Sequence, residues 1–170
     1  MKRGLILLHL ILLPISVLGQ NKWSVWTTKN DDSDKSYKSA VYIGELKSKY
    51  HSHEQQLLIG LFLDQSGEIY LMYWDQKSNI PLDFEGSVYN YKLRFRSVNG
   101  KNINLYASRI DESKKRLYLN KLLLSMDRFL TSIRTMPEVK MTFTFHNIDF
   151  FVPLNCKGSM AALHEAYNIL

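Results

Sequence analysis

One cysteine, Cys156, in a chain of 170 residues excludes an internal disulfide, so the fold must stand on apolar burial alone. The same scarcity narrows the chemistry. There is no G-x-S-x-G, no phosphate-binding glycine loop and no H-E-x-x-H pair, which removes the nucleophile-elbow, nucleotide and zincin signatures. No internal repeat, low-complexity tract or second domain is evident. Basic residues exceed acids by only 22 to 16, without the dense Lys/Arg clustering that nucleic-acid binding needs. What the chain has instead is apolar and aromatic residues, 45% and 12% of the total, enough for a sizeable core.

The first twenty residues, MKRGLILLHLILLPISVLGQ, carry a positive head (Lys2, Arg3), an apolar run from Leu5 to Leu13, Pro14, and small residues approaching a cut after Gly19. This is the pattern of a secretory signal. The run is about half the roughly 20 apolar residues of a spanning helix, and no cysteine stands at the cut to take a lipid. We therefore expect a signal peptide over 1–19, a mature single domain over 20–170, a periplasmic or secreted location, and no transmembrane segment after signal removal. Losing Lys2 and Arg3 leaves 20 basic residues against 16 acids, a net charge of +4. That mild excess suits solubility beside an anionic wall or membrane surface.

Period-two alternation dominates the mature chain. Trp23 to Trp26 reads as a short strand, and the polar stretch Thr27 to Ser39 as a loop. Ala40 to Lys47 is a strand. Leu57 to Leu63 is apolar at every position, which predicts a strand covered on both faces, turned by Asp64 to Gly67 into Glu68 to Trp74. Tyr89, Tyr91, Leu93 and Phe95 alternate with polar residues up to Asn99-Gly100, a pair suited to a type I′ turn. The return strand places Ile103, Leu105 and Ala107 inward. The period then changes: Leu119, Leu122, Leu123, Met126, Phe129, Leu130 and Ile133 make one apolar stripe, predicting a long amphipathic helix that Pro137 stops. Val139 to Phe145 and Ile148 to Leu154 form a second hairpin around His146-Asn147. Ser159 is an N-cap for a short final helix with Met160, Leu163, Tyr167 and Leu170 on one stripe. The expected fold is a β-rich α+β domain, a curved or two-layered antiparallel sheet with the long helix packed on it.

Chemistry is sparse. Cys156 and His146 suggest a thiol–imidazole pair, but a regular hairpin holds them about eight residues apart at about 3.3 Å each, beyond contact, so Cys156 reads as structural. His51 and His53 with Glu54 lack a third metal ligand at a usable spacing. Asp31, Asp32 and Asp34 lack the glycine and distal glutamate of a calcium loop. Asp75, Asp83, Glu85 and Asp111 show no pairing that marks a glycosidase. We assign no catalytic residue, metal or cofactor. Trp23, Trp26, Tyr70, Trp74 and Tyr106 suit either a sugar-stacking platform or sheet packing. The best patch is the outward row Lys92, Arg94 and Arg96, with Lys101 past the turn, which fits either an anion-binding face or a solvated sheet surface that resists edge pairing.

The run LLIGLFLDQSGEIYLMYWDQ, then VYNYKLRFRSVNGK, LYASRID, a helix and VKMTFTFHNIDFFVPLNCKGSMAALHEAY resembles the small exported domain of the type VI secretion-associated proteins called VasI or TagO. It is more loosely similar to the invasion-associated locus B-type periplasmic proteins. The motifs that carry the resemblance are Trp74, Arg94, Ser108 to Asp111, and Leu154, Gly158, Ala162 and Leu163, within residues 57 to 167. Such proteins often carry cysteine pairs, whereas Cys156 is alone. The resemblance implies a non-enzymatic accessory or interaction protein of the envelope, with a protein partner there and no catalytic residues to carry over. The alternative is an inhibitor or immunity protein against a cell-wall hydrolase, with Thr27 to Ser39 or Tyr50 to Glu54 as the plug.

Overall fold

Alternating apolar and polar residues bury one side of an extended chain and leave the other in water, and most of this chain follows that rule. The structure, a computed structural model, describes residues 21–30, 33–48, 57–97, 99–145 and 148–167, without the side chains at 28–30 and 33–35. The signal segment, Tyr50 to Glu54 with its two histidines, the Asp31-Asp32 pair, His146 and Leu170 lie outside the described residues. In chain order the strands are β1 (Trp23–Asn30), β2 (Ser33–Ser48), β3 (Leu57–Asp64), β4 (Ile69–Asp75), β5 (Ile80–Pro81), β6 (Lys92–Arg96), β7 (Asn102–Leu105), β8 (Ala107–Ile110) and β9 (Leu117–Leu119). Helix α1 (Leu124–Thr135), strands β10 (Glu138–Phe145) and β11 (Ile148–Asn155), and helix α2 (Ser159–Tyr167) complete the fold. It is a β-rich antiparallel sheet with two helices.

The strands join in the order β7-β6-β10-β11-β2-β3-β4-β9-β8, with β1 added on β2 and β5 on β4. One half is β7-β6-β10-β11; the other is β2-β3-β4-β9-β8. Among the described residues the ladder between them has two residue pairs, Phe150 with Ser48 and Phe151 with Lys47. Beyond them Tyr42, fully buried, stands in for a ladder: its hydroxyl donates to the Pro153 carbonyl (2.7 Å) and accepts the Asn155 N–H (3.0 Å). The Trp23 indole N–H donates to the Asn155 carbonyl (2.9 Å).

The inward rows of both halves merge into one core. Tyr42, Leu61 and Leu71 from one half meet Phe95, Phe143 and Val152 from the other, together with Met126, Phe129 and Ile133 of α1 and Ala162, Leu163 and Ala166 of α2. Helix α1 packs on β7 and β10, α2 on β1, β2 and β3. The Ser159 hydroxyl, also buried, donates to the Ile133 carbonyl (2.6 Å) and ties the two helices together. The outward row of the second half is buried too: Val41, Ile43, Leu58, Phe62, Tyr70, Met72, Trp74 and Tyr118 form a separate cluster. This is the double coverage expected of the all-apolar stretch at Leu57 to Leu63. Gly60 is required there, since a Cβ would lie 2.7 Å from the Phe62 ring and 2.8 Å from the Trp74 ring.

Several expectations are corrected. The polar stretch from Thr27 is a hairpin, with β1 running to Asn30 and β2 beginning at Ser33; backbone ladder bonds hold polar strands as well as apolar ones. The predicted long helix is a strand followed by a helix of 12 residues. Leu117, Tyr118 and Leu119 pair with β4 and β8, and the Asn120 side chain accepts the Leu122 N–H (3.1 Å) to turn the chain. Leu122 is 88% exposed. Tyr89 belongs to a 3-10 turn and is exposed. Of Asn99 and Gly100, only Gly100 has positive φ (74°). Ser97 N–H bonds Lys101 O and Gly100 N–H bonds Ser97 O, a three-residue loop rather than a type I′ turn. The return strand divides at Tyr106, β7 staying in one half and β8 entering the other. On α2 the buried stripe is Ser159, Ala162, Leu163 and Ala166, while Met160 is exposed.

Two outcomes follow. Phe129→Asp, placing a charge on a fully buried site against Phe95 (5.2 Å between rings), should unfold the domain, whereas Leu122→Asp should shift stability by no more than about 0.5 kcal/mol; circular-dichroism melting compares them, and equal losses would refute the helix start at Leu124. Tyr42→Phe leaves the seam groups without their partner and should cost about 1–3 kcal/mol, seen as a fall of several degrees in Tm; an unchanged Tm would show that water replaces the hydroxyl at no loss.

Candidate anion-binding face

Strand β6 exposes Lys92, Arg94 and Arg96 and buries Leu93 and Phe95 between them. The pairing register extends this row sideways. Arg94 lies opposite Asn104 on β7 and Thr142 on β10, Thr142 lies opposite Phe151 on β11, and Phe151 opposite Lys47 on β2. Lys140, two residues before Thr142, faces Pro153. With strands about 4.8 Å apart and alternate residues about 6.7 Å apart along a strand, Lys47, Lys92, Arg94, Arg96 and Lys140 share a patch about 14 Å across. Lys47 and Lys140 were not apparent as members of the row, because only the register brings β2 and β10 beside β6. Lys101 precedes β7 and, by alternation, falls with Ile103 and Leu105 instead of with the row.

Three acids share this face, and one of them, Glu138, is exposed in the outward row of β10 two residues from Lys140. Asp149 accepts Arg94 (2.9 Å) and the Thr144 hydroxyl (2.5 Å), and Glu45 lies 3.8 Å from Lys47. Arg94 and Asp149 are each more than 40% exposed, so the pair contributes little stability. Arg96 folds over the hairpin tip, its Nε donating to the Gly100 carbonyl (3.3 Å). Among the described residues, no carboxylate pairs with Lys92, Arg96 or Lys140. A shallow groove of about 290 Å³ lies between Lys47 and Lys140, bounded by Phe151 and Pro153 of the outward row; Met141 and Val152 also line it but bury their side chains in the core. Phe151 is 40% exposed.

The other candidates have structural duties. Cys156 is buried and its thiol donates to the Leu154 carbonyl (3.3 Å); burial pushes it up to about 11, the opposite of a reactive thiolate. Asp75 accepts the Ser78 N–H and hydroxyl, which hold its carboxyl below the usual range. Asp111 accepts the Arg116 N–H and the Ser113 hydroxyl, Asp83 pairs with Lys115, and the Glu85 backbone is bonded both ways to the Tyr91 hydroxyl. No group of three metal-ligating side chains occurs among the described residues. The aromatic set does not make one platform. Trp23 packs with the inner core, Tyr70 and Trp74 are buried in the outer cluster with Trp26 against them, and Tyr106 is exposed at the crossover.

No family model matches the chain, and no curated protein does. Among solved structures it is similar to the invasion-associated protein B of Bartonella henselae, at 14% identity over 86% of this chain and 91% of that one, with a TM-score of 0.45. The likeness falls on the looser of the two resemblances seen in the sequence. At that score it carries no argument about fold or function.

The buried thiol gives a pH prediction. Burial raises Cys156 from 9.0 to about 11, and Tyr70 and Tyr167 from 10.0 to about 12. The unfolded chain therefore loses these protons first, and the stability present below pH 9 declines as pH rises from 9 to 12. Melting should be flat near neutrality and fall above pH 9, with Cys156→Ala removing the earliest part of the slope. The folded protein should leave a thiol reagent unreacted at pH 8; immediate stoichiometric labelling would refute the buried placement.

Proposed function

We propose that the chain is an exported, non-catalytic accessory protein of the cell envelope that binds an anionic partner through the outer face of β6, β10 and β11. The observation that carries this reading is the register that gathers Lys47, Lys92, Arg94, Arg96 and Lys140 onto one exposed sheet face against three acids, Glu45, Glu138 and Asp149. Export rests on the N-terminal signal pattern, and a secretion-system setting on the resemblance to VasI or TagO. The non-catalytic assignment is supported by the structural employment of Cys156, Asp75, Asp83 and Asp111.

A second reading, an inhibitor of a cell-wall hydrolase, is favoured by one feature. The ladder of β3 on β2 begins at Ser39, and Gln65 holds Lys38 (2.9 and 3.1 Å), so the part of β2 from Ser33 to Tyr37 has its ladder with β1. This two-stranded arm has a shape that enters a cleft.

Each cation near an anionic surface contributes about 1 kcal/mol, so Lys92→Gln, Arg94→Gln and Arg96→Gln together should weaken binding to native envelope fragments by roughly two orders of magnitude with Tm nearly unchanged. Wild-type binding should also fall with salt, since exposed charges are screened beyond about 8 Å at physiological ionic strength. Sedimentation at low and high salt measures both effects. Equal retention of the two proteins, or capture of one hydrolase near 1:1 by both, would overturn the basic-face reading in favour of the arm.

A further inference from the structure

The middle of the basic face is apolar. Phe151 stands in the same cross-strand row as Arg94 and Lys47, and Pro153 follows it on the outward row of β11, with Lys47 and Lys140 at the rim of the groove beside them. The backbone under the patch is occupied: β6 and β10 are hydrogen-bonded on both edges. A peptide therefore finds no open ladder on these two strands, and strand addition, the usual way a sheet reads an extended segment, is left only to the end strand β7 beside them. Over β6 and β10 contact comes from side chains. Long cations around an exposed aromatic, on a broad surface without an enclosed site, match the headgroup region of a bilayer, where phosphates lie in a laterally mobile array above an apolar boundary.

We propose that this face is a peripheral membrane-binding surface for anionic phospholipid, with Lys47, Lys92, Arg96 and Lys140 on the phosphates and Phe151 and its groove at the headgroup–acyl boundary. The inference rests on the anion-binding reading of the same face and adds the partner and the apolar contact. Arg94, held by Asp149 at 2.9 Å, orients within the patch and is a weaker contact.

The test is sedimentation with vesicles of phosphatidylglycerol and phosphatidylcholine mixed, and of phosphatidylcholine alone, at low and high salt, using wild type, Phe151→Ser and Phe151→Trp. Wild type should bind the mixed vesicles, keep a residual fraction at high salt, and ignore the neutral ones. Phe151→Ser should bind about tenfold more weakly and lose the salt-resistant fraction, while Phe151→Trp retains it. The position is exposed, so an unchanged Tm checks that both variants fold. Phe151→Ser binding as tightly as wild type at both salts would overturn the apolar contact. Binding to native envelope fragments without binding to anionic vesicles would overturn the lipid assignment and leave the anion-binding face standing. Failure to bind either would remove both.

Discussion

The Tyr42 hydroxyl is the contact on which the two halves of the sheet depend. Among the described residues, a two-residue ladder between β2 and β11 joins the two half-sheets. Tyr42 continues it by presenting, from a side chain, the donor and acceptor that a neighbouring strand would offer. The Trp23 indole adds a third bond at Asn155. Each such bond contributes only about 1 kcal/mol net, but an unpaired buried group costs more than that, so the seam has little tolerance for loss. Gly44 makes the approach feasible: a Cβ there would sit 3.0 Å from the Tyr42 ring and 3.4 Å from Val152.

Closing the seam also divides the labour of the two halves. The half containing β3 and β4 is apolar on both faces, which suits the inside of a fold and leaves little room for recognition. The half containing β6, β10 and β11 largely alternates, so its outer face keeps exposed cations around the aromatic Phe151. Function is best sought there, because exposed cations held on a rigid, doubly paired sheet lose little order on meeting an anion. The groups that look reactive in isolation, Cys156 and the turn carboxylates, spend their polar capacity on the backbone.

Where local spacing and burial agree, the sequence is enough. The all-apolar Leu57 to Leu63 stretch, the alternation of Val139 to Phe145 and the polar–apolar rhythm of Lys92 to Arg96 each state which side of a strand faces inward, and the structure agrees. The failures share a cause. Leu117 and Leu119 satisfy a period of two, yet Leu119, Leu122 and Leu123 also continue the three–four spacing of α1, and only the partners β4 and β8 decide for a strand. Thr27 to Ser39 carries no apolar signal because its strands are held by each other's backbones. Tyr106 looks like one more alternating residue, although the chain changes half-sheets there.

The candidate site shows the same division. The sequence by itself determined that Lys92, Arg94 and Arg96 share a face, because side-chain direction along one strand is a local property with period two. Only the tertiary structure decided that Lys47, from a strand more than forty residues earlier, and Lys140 join that face, that Phe151 lies at its centre, and that Lys101 does not belong. Cross-strand neighbours are fixed by register and strand order, and these depend on how two half-sheets close over a common core, which no stretch of sequence encodes alone.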